Sequence, residues 1–303
     1  MLNLNGLAQL LKTHQIEAED LETLAIDGTT FTALALDIAP AQQFEVWQIF
    51  RNLVEQTGRY PLLVEDWIGG RTFFSTYWYE AEVSAGHIAD VTPDAVLAAV
   101  PQADMQAFLV KREAMIRDEL AEGVDFELEL TQQQFGSCPA KEEVLALVDQ
   151  GVIQSPVSLN RWLFDWELQT FGLEKALEPP DPGYLGWFDP NHSQATMLLL
   201  PVTEGWNTLA YLHWYGSLTG GTPVTIQFLK KWHDDYQAEL VCHYATMLGF
   251  YVGQPPRTPE DAFRLAWEQV ALAECTTILP GVSLRDHARS LLAVNRWFLH
   301  ERP

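Results

Sequence analysis

Apolar residues recur along this chain with two different periods. In AQQFEVWQIFRNLVEQTG, Phe44, Trp47, Phe50 and Val54 return about once per turn, and Val46, Ile49 and Leu53 widen the stripe. That spacing predicts an amphipathic helix, with Gly58 as its stop and Tyr60 to Val64 as a buried strand behind it. Thr92-Pro93-Asp94 and Thr258-Pro259-Glu260-Asp261 carry the same start signal: a hydroxyl cap, proline in the first turn, then an acid at the positive helix end. Helices are expected over Asp104 to Leu120, Ala140 to Asp149, Val224 to Gln237 and 258–273. Another is expected from a Ser158 cap to Gly172, and a short one from Ser283. FELELT alternates Phe126, Leu128 and Leu130 with Glu127 and Glu129, the period of a strand with one wet face. ATMLLLPV, LAYLHWYG, AELVCHYAT, GFYVG and Arg296 to His300 also read as strands.

Helices and strands alternate without a regular βαβ period. The pattern predicts an α+β fold, with a mixed or antiparallel sheet covered by helices. The segment EPPDPG, Glu178 to Gly183, cannot continue a helix or sit inside a sheet. It suggests an acidic region over 1–182 and an α+β domain over 183–303. The alternative is one continuous sheet with the proline segment as an internal loop. Charge shifts at the same place: residues 1–182 carry 30 acids and 10 bases, while 183–303 carry 11 and 8.

The whole chain of 303 residues has a formal net charge of −23, which opposes binding to nucleic acid or an anionic membrane. No apolar run approaches the roughly 20 residues of a membrane span, and the first residues lack the basic start of a secretory signal. Three scattered cysteines predict no disulfide framework, and the expected location is the cytoplasm.

Candidate chemistry is sparse. Motifs for nucleotide, zinc-peptidase and nucleophile-elbow sites are absent, and Gly69-Gly70 and Gly220-Gly221 read as turns. No histidine or cysteine spacing calls for a metal, so neither metal nor cofactor is expected. Cys242 and His243, adjacent in one strand, should face opposite ways, and Cys275 should be buried at a helix end. A general base is conceivable only if His213 meets Glu204 or Glu268 in space. Trp206, Asn207, Trp214 and Tyr215 cluster in sequence and can line a binding groove, with His233 and Gln269 as further polar candidates. Trp232 and Trp267 are expected as core anchors, with Gln269 turned away from the core. Three functional readings follow: a binding or accessory protein with a protein or small-molecule partner, a metal-independent hydrolase or transferase using His213, and a structural subunit of an assembly. The first has the most support, because no catalytic constellation is present. The oligomeric state is not encoded in any of these patterns.

The second half resembles the bacterial family DUF4253, whose function is unknown. LLPV at 199–202, KKWHDDYQAELV at 230–241, GQPPRTPEDAFRLAWEQ at 253–269, Cys275 and NRWFLH at 295–300 occur in the family's order, covering about 184–303. Upstream, VWQIFRNLVEQTGRYPLLV is similar to a tryptophan helix followed by T-G-x-x-P-L-L in some relatives. Two departures stand out. Thr222-Pro223 lacks the family's cysteine, and Cys275-Thr276-Thr277 replaces its Cys-Pro-Asp. The resemblance implies an α+β fold and carries no known activity or cofactor.

Overall fold

The computed structural model describes residues 1–26, 28–65, 77–179, 181–186 and 195–302. Gly69-Gly70 and Pro180 of the proline segment lie outside that set. In chain order the elements are α1 (Leu4–His14), β1 (Glu19–Ala25), β2 (Thr32–Asp37), α2 (Gln43–Asn52), α3 (Val54–Thr57), β3 (Tyr60–Glu65), α4 (Tyr77–Ser84) and α5 (Pro93–Ala99). Then come α6 (Met105–Met115), α7 (Leu120–Phe135), α8 (Lys141–Asp149), α9 (Pro156–Ala176), β4 (Ala195–Leu200) and α10 (Thr222–Tyr236). The last are β5 (Ala238–Tyr244), β6 (Met247–Val252), α11 (Pro259–Leu272), α12 (Cys275–Ile278), α13 (Leu284–Ala293) and β7 (Arg296–His300). Short 3-10 turns fill several of the connections.

These elements form two compact units, each assembled from separated stretches of chain. The first contains residues 1–103, 185–254 and 296–303; the second contains 104–184 and 255–295. In the first unit the strands make one seven-stranded sheet in the order β1-β2-β4-β3-β5-β6-β7. Every pairing is antiparallel except β3 with β5. The fold is therefore α+β with a mixed sheet, as the pattern predicts. β4 lies between β2 and β3, so strands from both sides of the proline segment share the sheet. Met197, Leu198, Leu199 and Leu200 are almost fully buried, which is why ATMLLL reads as a continuous apolar run.

In the second unit the described elements are helices, with Leu120, Val124, Leu128, Val144, Ile153, Leu159 and Leu163 in one apolar cluster. Beside it lies a buried ionic network. Glu167 on α9 accepts hydrogen bonds from Arg285 Nε, at 3.0 Å, and from Arg289 Nη2, both on α13. Arg285 also pairs with Glu127 on α7 and donates to Asn160 Oδ1 and Thr131 Oγ1, while Arg289 pairs with Asp286.

Caps fall where the hydroxyl signals lie. Thr92, Thr258 and Ser283 each accept from the backbone N–H three residues on. Gly58 ends the α2–α3 helical segment in the left-handed conformation. Several expectations need correction. FELELT is part of α7: over the longer window Leu120, Val124, Leu128, Thr131 and Phe135 are buried at helical spacing, and Phe126 is exposed. LAYLHWYG is not a strand but two 3-10 turns, Gly205–Ala210 and Tyr215–Thr219, and the loop between them. A short, continuously apolar run has no period to separate these cases. Ser155, not Ser158, is the cap of α9; Ser158 returns its hydroxyl to the Ser155 N–H, completing a capping box. β1 and β2 lack the patterning that marked the other strands.

Candidate functional site

His213 lies in the loop between the two 3-10 turns, where its carboxylate partner is Glu82. Its Nε2–H donates to Glu82 Oε1 at 2.8 Å. Glu82, on α4, is 1% exposed and also accepts from the first residue of α10: Thr222 N donates to Oε2 at 2.7 Å and Thr222 Oγ1 to Oε1 at 2.5 Å. A carboxylate at a helix N-terminus meets unpaired N–H groups and the positive end of the dipole. Glu82 thus ties α4, His213 and α10 together. The Tyr79 ring packs edge-on against His213 at 5.0 Å, and its hydroxyl donates to Leu209 O. His243 on β5 has no hydrogen-bond partner for either ring nitrogen among the described residues. Burial first, and then the nearby His213, pull its pKa down to about 4. Cys242, also buried, is pushed well up by desolvation, so it is an inert thiol.

A second constellation is open to solvent. Glu204, Trp206 and His233 come together in a recess of about 70 Å³, with Arg51, Tyr60 and Glu239 also in its lining. Trp206 comes from the 3-10 turn after β4 and His233 from the last turn of α10; their ring centroids are 4.8 Å apart. Arg51 on α2 reaches β5 to pair with Glu239, and its guanidinium lies 5.6 Å from the Tyr60 ring centroid. Tyr60 itself donates to Leu240 O at 3.0 Å. Gly205 leaves the space this side chain occupies, since a Cβ there would come within 2.8 Å of the Tyr60 Cζ, Cε2 and hydroxyl oxygen. Asn207 reaches Glu204 at 3.5 Å.

The remaining candidates separate. Trp214 is fully buried over Gly216, and Tyr215 is half-buried with its N–H bonded to Ala245 O. Glu268 and Gln269 belong to the second unit and are buried, not solvated. Gln269 Oε1 accepts from His287 Nε2 at 2.9 Å, and His287 Nδ1 accepts from the Tyr184 hydroxyl at 2.6 Å. This chain of hydrogen bonds turns Gln269 inward and leaves Trp267 only half-buried. Cys275 is likewise half-buried, at the start of α12. Among the described residues no group of three or more His, Cys, Asp and Glu side chains is placed to hold a metal.

Residues 196–300 match the family model of DUF4253, a domain of unknown function. The match assigns this segment to that family. The DUF4253 segment supplies Glu204, Trp206, His213, His233 and Glu239, whereas Arg51, Tyr60 and Glu82 come from outside it. Both constellations are therefore completed by the first third of the chain. No curated protein and no solved structure matches the chain. No helix among the described residues is long and apolar enough to cross a membrane.

Sequence reasoning missed Arg51, Tyr60, Glu82 and Glu239. Arg51 and Glu239 carried a faint signal, a charge set among apolar residues of a helix and a strand. Glu82 carried none, because its partners are 131 and 140 residues away.

Proposed function

We propose that this protein is a non-catalytic binding or accessory protein of the cytoplasm, engaging a partner through the Trp206 recess. The observation that supports this reading is the convergence of Glu204, Trp206 and His233 with the Arg51–Glu239 pair. Aromatic walls give rigid contact area, and the charged rim fixes orientation. At about 70 Å³ the recess has room for a few waters. That suits the polar head of one side chain better than an entire metabolite, so a protein partner fits best. The rival reading, a hydrolase or transferase built on His213, has a histidine–carboxylate pair in its favour. Against it, His213 is 8% and Glu82 1% exposed, and neither lines the recess.

A panel of Nα-acetyl amino-acid amides, presenting arginine, lysine, glutamate and glutamine heads, tests the proposal by ligand-observed NMR. Millimolar binding of at least one head is expected, with at least a tenfold loss in Trp206→Ala, measured well below the melting temperature of that variant. No binding by wild type, or equal binding by the variant, overturns the assignment.

A further inference from the structure

The first unit contains a larger concavity away from the Trp206 recess. It is a cleft of about 590 Å³ between the loop after α4, the exposed side of α5 and the start of α10. That volume falls within the range of small-molecule sites. Its walls are short and apolar: Ala95, Ala98 and Ala99 on α5 face Pro223 and Val224 of α10. Among the described residues, none of the twelve that line it is Asp, Glu, Lys or Arg, in a chain with 41 acids and 18 bases. An ionic ligand would lose its hydration there without a counter-charge.

Among the described lining residues the polar side chains are His87 and Gln102. His87 is held by a dedicated seat. Gly221 has φ +88°, and a Cβ there would come within 2.8 Å of the His87 Cβ, Cγ and Nδ1. Only glycine fits both the backbone conformation and the ring. The neighbouring residue, Thr222, is fixed by Glu82. Nδ1 of His87 is buried with no hydrogen-bond partner among the described residues. Nε2 is therefore the ring nitrogen left to meet a ligand, and with its proton it is a donor.

We propose that this cleft binds an uncharged, mainly hydrocarbon small molecule bearing a carbonyl or hydroxyl oxygen, which His87 Nε2–H and Gln102 hydrogen-bond while the alanine wall takes its apolar body. The site is separate from the Trp206 recess and does not depend on the function proposed for it.

Acetophenone and ethylbenzene, similar in size and differing in the carbonyl, are suitable probes by saturation-transfer NMR and titration calorimetry on the full chain. Wild type should bind both, acetophenone about fivefold more tightly, the scale of one net hydrogen bond. Ala98→Phe changes an exposed wall position, so it should keep the wild-type melting temperature and weaken both probes at least tenfold. His87→Leu should keep ethylbenzene and remove the preference for acetophenone. Binding of neither probe by wild type, wild-type affinity in Ala98→Phe, or a preference that survives in His87→Leu each overturns the proposal.

Discussion

Among single residues, two tryptophans that look alike in sequence have different surroundings. Trp232 is fully buried, with Phe250 and Trp297 edge-on at 6.1 and 6.3 Å. Trp267 sits at the margin of its helix's buried face. Trp232→Ala should therefore cost about 3–5 kcal/mol, and Trp267→Ala about 1–2 kcal/mol. Denaturant midpoints at one pH will order them; equal losses would contradict the burial difference. His287 makes a pH prediction. Burial lowers its folded pKa to about 3, below the unfolded value of about 6.5. The unfolded chain thus binds more protons between those values. The contribution of neutral His287 is complete above about pH 6.5 and is lost as pH falls towards 3. Between pH 7.5 and 5, wild type should lose about 2 kcal/mol more than His287→Gln. Parallel losses would mean that His287 is not the responsible group.

Elements in the second unit are joined by charge as well as by apolar packing. Glu167 on α9 serves both Arg285 and Arg289 of α13, and all three side chains are at most 1% exposed. Two guanidiniums share one carboxylate, each with a second acid, Glu127 or Asp286. Replacing the shared acid leaves buried positive charge undercompensated. Glu167→Gln preserves shape and should still cost about 3–5 kcal/mol. Urea unfolding measures it; a change below about 1 kcal/mol would mean that the network relaxes or takes up water. The helices themselves were largely legible, because periodic stripes and hydroxyl caps are local. FELELT misled because six residues are too few to separate a strand period from a helical one. LAYLHWYG misled because it is buried on all sides.

For the molecule as a whole, the apolar patterning and the balance of periods settled the α+β class, five of the seven strands and most helix starts. Those features depend on neighbours within a turn or a pleat. Charge and composition likewise settled the acidic character. Only the tertiary structure decided that β4 inserts between β2 and β3, and that each compact unit is assembled from separated stretches of chain. It also decided which carboxylate meets His213, and that Glu204, Trp206 and His233 share a recess with Arg51 and Glu239. The reason is physical. A helix face or a cap is set by bonds a few residues long. The Glu82 contacts span 131 and 140 residues, and the Arg51–Glu239 pair spans 188. Such partners are chosen by the burial of the sheet and helices that carry them, and no local pattern records that choice.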